Sequence, residues 1–249
     1  MELKAEKIND NVSIYQGERS LAFGTDAYLL SAYVPRGSKK ACELGAGSGI
    51  ISLLCLKRNK ISSSACVEIQ SDIAMLCEKN ASENGCGDTI SVLNTDLRDL
   101  PTALNESFDT VFTNPPYMRA DSGKINEHDG NAACRHEING TITDFCNTAA
   151  RLLKFGGCFY AVYRPDRLSE LMTACENAKL RVKLCTLVYP TTDHVPSAVL
   201  IKAKKGAAPG MKMTKPLIIY PSRDDMSIDG YSESMKYIYE NGDFGNEFR

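Results

Sequence analysis

Short apolar runs alternate with amphipathic stretches along this chain from about residue 40 to residue 205. The runs at 40–44, 65–69, 89–93, 110–113 and 158–163 read as strands, and the stretches at 50–58, 71–84, 143–153 and 165–178 as helices. In the helix over 71–84, Ile73, Met75, Leu76 and Ala81 supply the apolar positions, Ser71 is placed to cap it and Gly85 to stop it. Two successive strand-like runs, 182–189 and 197–204, close the series. This rhythm predicts an α/β fold: a seven-stranded, mostly parallel sheet with helices on both faces, whose last hairpin inserts one antiparallel strand. A polar segment, 119–139, interrupts it, and there is no repeat or low-complexity stretch.

Ligands bind beyond the carboxyl ends of the strands in such sheets, and two motifs fall there. The first is Glu43-Leu44-Gly45-Ala46-Gly47-Ser48-Gly49. Gly45 and Gly47 let the backbone turn tightly and approach a ligand with no Cβ in the way. Ile50 breaks the G-x-G-x-x-G spacing of dinucleotide sites, and no Lys-Ser/Thr ending makes a phosphate loop. A cofactor with a ribose and a positive sulfur suits the acids nearby. Glu43 ends the first strand, and Glu68, followed by Ile69, ends the second, where its carboxylate is placed to accept both ribose hydroxyls. Ala46 and Ile69 join these residues as candidate cofactor contacts. Asp96, after the third strand, is placed to accept from an adenine amine with the Leu97 N–H beside it; alone, it would be an ordinary helix-cap acid.

The second motif is Asn114-Pro115-Pro116-Tyr117, delivered by the fourth strand. The exocyclic nitrogen of adenine is a poor nucleophile because its lone pair spreads into the ring. The Asn114 side-chain oxygen and the Pro115 carbonyl can each accept one of its N–H bonds, holding it in line with a methyl donor. Tyr117 offers a face for stacking. Asn114, Pro115 and Tyr117 are therefore the candidate catalytic residues, with Asn114 also bordering the cofactor. Together the motifs read as transfer of a methyl group from S-adenosylmethionine to an amino or amide nitrogen. Upstream, Phe23-Gly24-Thr25-Asp26 precedes an apolar stretch; Thr25 or Asp26 can cap a helix there, and the segment can fold over the cofactor.

A chain of 249 residues with 43% hydrophobic and 24% charged residues is ordinary for a soluble globular protein, without a membrane span or a signal-peptide pattern at its start. The ten cysteines are scattered singly, most inside apolar runs, and read as buried thiols in a reducing cytoplasm. His128, His136 and His194 have no metal-ligand spacing, so no metal is expected. Net charge is −2, but its distribution is uneven. Residues 199–223 carry Lys202, Lys204, Lys205, Lys212, Lys215 and Arg223 and no acid, whereas 224–249 are strongly acidic. A basic stripe beside a swung-away acidic tail suits phosphate contact. These features divide the chain into an N-terminal segment covering the cofactor site (1–37), a core (38–205) and a C-terminal extension with an acidic tail (206–249).

These residues resemble the N-P-P-Y amino methyltransferases of the Rossmann-like class I fold, and among them the bacterial family that methylates N6 of the adenosine 3′ of the anticodon in a valine tRNA. The resemblance is carried by Phe23-Gly24-Thr25-Asp26, the glycine turn, Asn114-Pro115-Pro116-Tyr117 and Arg135-His136-Glu137, with Leu152-Leu153-Lys154-Phe155-Gly156-Gly157 and Arg164-Pro165-Asp166-Arg167-Leu168. It implies cofactor binding by Thr25, Asp26, Glu43, Gly45, Glu68 and Asp96, and adenine capture by Asn114 and Tyr117. It implies a tRNA partner; Arg135, Arg164, Lys202, Lys204 and Lys205 are candidate phosphate contacts on the approach to Tyr117, and a cytoplasmic monomer or weak homodimer is expected. N-P-P-Y is shared with enzymes that methylate a release-factor glutamine and with DNA adenine methyltransferases, so glutamine and ribosomal RNA remain alternative acceptors. A non-catalytic RNA-binding protein is the reading the intact Asn114 and Tyr117 argue against.

Overall fold

The computed structural model describes residues 4–9, 11–16, 24–116 and 140–248. A hairpin, β1 (Lys4–Asn9) and β2 (Val12–Gln16), opens it. Helix α1 (Thr25–Tyr33) follows, and then the alternating series β3 (Ser38–Leu44), α2 (Ile50–Lys57), β4 (Ile61–Glu68), α3 (Ser71–Glu83), β5 (Ile90–Asn94) and β6 (Phe108–Thr113). After the segment 117–139 come α4 (Ile142–Leu152), β7 (Leu153–Tyr163), α5 (Leu168–Asn177), β8 (Leu180–Tyr189) and β9 (Ala198–Lys205). Two short strands, β10 (Lys212–Met213) and β11 (Leu217–Ile218), and helix α6 (Glu233–Asn241) complete the chain.

Seven long strands lie in the order β5-β4-β3-β6-β7-β9-β8, parallel except for β9, which runs antiparallel between β7 and β8. The sheet has nine strands rather than seven, because β10 and β11 each add two residues, parallel, along the outer edge of β8. Alternation along the strands splits the core. One face packs on α1, α2 and α6 through residues such as Leu29, Leu54 and Ile238, and the other on α4 and α5 through Phe145, Leu152 and Leu171. None of the described helices is long and apolar enough to cross a membrane.

Helix caps differ from the sequence expectation in detail. Gly24, not Thr25 or Asp26, is the N-cap of α1, and Gln70, not Ser71, is that of α3. Helix α4 starts one residue before the expected position, on a capping box in which Thr141 and Asp144 satisfy each other's backbone N–H groups.

The larger correction concerns the acidic tail. It does not swing away: Met235, Ile238, Phe244 and Phe248 are buried in the face that holds α1 and α2. One of its acids ties it down. Asp243 pairs with Arg36 at 3.2 Å and with the buried ammonium of Lys60 at 3.1 Å. That ammonium also donates to the carbonyls of Ser31, Ala32 and Val34, at 2.9, 2.9 and 2.6 Å, which closes the orphan carbonyls at the end of α1. Desolvation holds the Lys60 ammonium below its ordinary pKa. Nearby, the Tyr28 hydroxyl donates to the Tyr239 carbonyl at 2.6 Å, and Arg58 donates to the same carbonyl.

Lys60→Met keeps the length of the side chain but leaves these carbonyls without their cation and Asp243 with Arg36 alone. A loss of about 3–5 kcal/mol is expected in urea denaturation, the cost of breaking a buried ion pair from one side. A surface-like loss below about 1 kcal/mol would show that the tail is not held this way.

Candidate functional site

Parallel pairing of β3 with β6 aligns Leu44 with Thr113, so the glycine turn and Asn114 leave the sheet side by side. The buried Thr113 hydroxyl donates to the Leu44 carbonyl at 2.8 Å and pins the two strand ends together. The chain then turns through Gly45, Gly47 and Gly49, all left-handed, with φ of +66°, +55° and +78°. The room for a Cβ differs among them. At Gly49 it would stand 2.5 Å from the Cys77 sulfur and at Gly45 3.3 Å from the Phe145 ring, whereas at Gly47 nothing lies within 4 Å. The outer two glycines permit packing, and the middle one leaves open space at the turn.

Glu68 ends β4 beside this turn and is 6% exposed. One carboxylate oxygen accepts from the Gly47 N–H and the other from the Gln70 N–H, both at 2.9 Å. Each oxygen keeps a lone pair for a further donor. Glu43 is more deeply enclosed, at 1% exposure. It accepts from the Ser52 N–H at 2.9 Å and from the Ser52 hydroxyl at 2.5 Å, which ties the end of β3 to the first turn of α2. Burial pushes its carboxyl up to about 8 against the pull of those hydrogen bonds.

These elements enclose a cavity of about 250 Å³. Of the residues expected from sequence, Glu43, Gly45, Ala46, Gly47, Glu68, Ile69, Asp96, Leu97 and Asn114 line it. Thr25 and Asp26 do not; Gly24 and Ala27 of the same segment do. Asp26 stands partly buried beside the cavity, its carboxyl raised by desolvation. Pro115 is buried, and Pro116 is the proline at the cavity wall. Asp96 performs the bland role as well: it caps the short turn at Leu97–Asp99 and is held by the Arg98 guanidinium, which keeps its carboxyl below the usual range. Sequence reasoning missed Phe145, Gln70, Ile73 and Thr95. Gln70 and Thr95 follow strand ends and were within reach of the strand-end rule. Phe145 comes from a helix far along the chain and gave no signal.

Tyr117 and Arg135 lie outside the described residues. Arg164 follows β7 at the cavity end of the sheet, its guanidinium on Asp166. The other expected phosphate contacts are elsewhere. Register places Lys202 opposite Tyr160 and Lys204 opposite Cys158, back along β7, and Lys205 donates to Glu106 and to the Leu153 carbonyl. Lys204 and Lys205 sit toward the opposite end of the sheet because β9 runs antiparallel and carries its C-terminus away from the cavity, whereas Lys202 lies level with Phe112, one residue short of Thr113. Among the described residues no cluster of His, Cys, Asp or Glu could hold a metal ion, and His194 is engaged with the Thr191 hydroxyl at 2.7 Å.

Residues 17–178 match the model of the methyltransferase small domain. The chain belongs to that family. A relative named tRNA1(Val) (adenine(37)-N6)-methyltransferase, from Shewanella amazonensis, is 34% identical over 183 residues, covering 73% of this chain and 77% of its own length. Among solved structures, a predicted O-methyltransferase from Agrobacterium tumefaciens superposes with a TM-score of 0.70 at 21% identity, over 89% of this chain and 98% of that one. M. jannaschii TYW2 in complex with AdoMet gives 0.57 at 12% identity, over 81% and 85%. These two likenesses show the class I methyltransferase fold.

The donor set of this methyltransferase fits S-adenosylmethionine. Gly47 leaves the space, Glu68 retains acceptors for two hydroxyls, and the apolar side chains of Ile51, Ile73 and Phe145 offer surface for a base. Glu68→Gln removes the charge while keeping an acceptor. Calorimetry should show cofactor affinity lowered by about 1.5–3 kcal/mol, the worth of a hydrogen bond to a charged group; unchanged affinity in a folded variant would move the cofactor off β4.

Glu43 makes stability depend on pH. Its folded pKa, about 8, lies above the ordinary 4.5, so between those values the folded protein holds a proton that the unfolded chain releases. Stability of the ligand-free protein should therefore fall as pH rises from about 5 to 8, by at most about 1.4 kcal/mol per pH unit, and level off above. Urea midpoints across that range should slope downward in the wild type and flatten in Glu43→Gln; parallel curves would contradict the burial argument.

Proposed function

We propose that the protein transfers the methyl group of S-adenosylmethionine to N6 of an adenine in tRNA, the adenosine next to the anticodon. The observation that carries the reading is the placement of Asn114 on the wall of the same cavity as Gly47 and Glu68. The name of the Shewanella relative supports the RNA acceptor over a protein one. On this reading the enzyme works in the cytoplasm.

The bound cofactor supplies an electrophilic methyl group on a positive sulfur. The rest falls to this chain. Glu68 holds the ribose hydroxyls, and the glycine turn keeps the backbone close to the cofactor without side chains. Asp96 takes the adenine amine of the cofactor with the oxygen capacity that Arg98 leaves. Asn114 Oδ1 and the Pro115 carbonyl accept the two N–H bonds of the target amine. Both contacts strengthen as positive charge grows on that nitrogen, so they lower the barrier and do more than bind substrate. Tyr117 stacks on the adenine once it has left its own stack. Arg164, at the same end of the sheet, serves an adjacent phosphate.

Asn114→Ala should lower the single-turnover rate on tRNA by about 10²–10³, the cost of one oriented acceptor, with cofactor affinity near wild type. Labelled methyl transfer to separated tRNA, rRNA and protein fractions, run beside cofactor calorimetry, tests both parts. Near-normal turnover in the variant would remove Asn114 from the reaction, and label in the protein fraction would replace adenine with a glutamine amide.

A further inference from the structure

The end of the sheet opposite the cavity carries an aromatic and cationic surface that the reaction leaves idle. Phe155, near the start of β7, is 80% exposed, yet its ring is held in place. It lies against the backbone of Gly206, where a Cβ would stand 2.2 Å from the ring. Gly206 and Gly156 both take left-handed conformations, at φ +73° and +81°, that turn the chain around the ring. Lys204 reaches within 4.0 Å of the Cβ position of Gly156. Lys154 and Lys205 flank it, and Arg181 lies opposite Lys204 in register on β8.

Three acids sit among these cations, and each is engaged: Asp109 by Lys154, Glu106 by Lys205 and Glu176 by Arg181. Lys179, Lys183 and Lys204 have no acidic partner among the described residues. A protein of net charge −2 thus concentrates a local positive excess around one exposed ring. Ala161 pairs with Thr113, so Phe155 lies six residues back along β7 from the level of the catalytic loop. A bulge takes up part of that length, since Leu153 pairs with Phe108 and Cys158 with Thr110, so at about 3.3 Å per residue the level of Phe155 lies roughly 10–17 Å from that of the loop, beyond the nucleotide adjoining the target adenine.

We propose that this edge is a second RNA-docking surface, taking phosphates and one unpaired base from a part of the substrate RNA remote from the methylated adenine. The proposal rests on the tRNA reading above. Lysines without acidic partners exchange counterions for phosphates, and a preplaced ring accepts any base on its face with little ordering cost. Lys204, expected from sequence to line the catalytic approach, finds its use here, on the body of the RNA.

The test is the triple variant Phe155→Ala, Lys179→Ser, Lys204→Ser, all at exposed positions, with its thermal midpoint measured beside the wild type. Filter binding against salt concentration would be read for full-length tRNA and for an isolated stem-loop bearing the target adenine. Full-length tRNA should bind about ten-fold or more weakly, and its log–log salt slope should fall by about 1.5–2 for two lost phosphate contacts. Stem-loop affinity and turnover at saturating RNA should not change. Unchanged affinity and slope on full-length tRNA overturn the proposal, as does an equal loss on the stem-loop. A variant that loses only self-association or binding to anionic vesicles, with RNA affinity intact, overturns it too. The two readings separate cleanly: methylated tRNA with patch-insensitive binding sinks the surface alone, and patch-dependent binding without methylated tRNA sinks the enzymatic reading alone.

Discussion

The pairing of β3 with β6 is the constraint on which the site depends. These strands are distant in sequence, and on the proposed reading neither the glycine turn nor the Asn114 loop acts without the other. Their parallel register ends at Leu44 and Thr113, and the Thr113 hydroxyl on the Leu44 carbonyl fixes that end inside the buried core. Residues 45–49 beyond one end and 114–116 beyond the other are loop. A buried side-chain hydrogen bond at the last paired position therefore sets how closely two loops approach each other.

Around that seam the sheet is tuned with buried polar groups. Glu43 anchors α2 through Ser52, whose hydroxyl also meets Ser64 at 2.8 Å. Glu68 holds Gly47 and Gln70, so the carboxylate that suits a ribose also shapes the turn beneath it. Lys60 does comparable work on the far side by closing α1 and anchoring the C-terminal segment. Helix α1 contributes Ala27 to the cavity, which gives the acidic tail a structural path to the site without any contact with it. On the proposed reading loops carry the reactive groups, and Glu68 ties the glycine loop to the end of β4.

Much of this was legible because strand–helix alternation and strand-end motifs are local signals. Gly45, Gly47, Glu68 and Asn114 stand where the pattern put them. Strand starts were less legible: β4 begins at Ile61, ahead of three serines, and β7 begins at Leu153, where two glycines read as a break. Polar or glycine-rich residues still join the ladder when neighbouring strands satisfy their backbone, which a pattern of side chains does not report. The C-terminal segment misled for a related reason. Its charge concealed Met235, Ile238, Phe244 and Phe248, and only tertiary packing turns those positions into core. Lys60, one base in a short connection, carried no signal at all. A stripe of β9 lysines in sequence says nothing of strand direction, and direction is what sends Lys204 and Lys205 to the far end while Lys202 stays level with Phe112.

The account makes one claim about chemistry: acceptors at Asn114 and Pro115 select a planar exocyclic amine in an RNA base. The direct measurement is mass spectrometry of nucleosides from tRNA incubated with the protein and S-adenosylmethionine carrying a heavy methyl group, with fragments mapped to position. The account predicts N6-methyladenosine bearing the heavy methyl next to the anticodon and no other heavy nucleoside. Heavy methyl on a ring nitrogen or ring carbon, or none in tRNA at all, would contradict it.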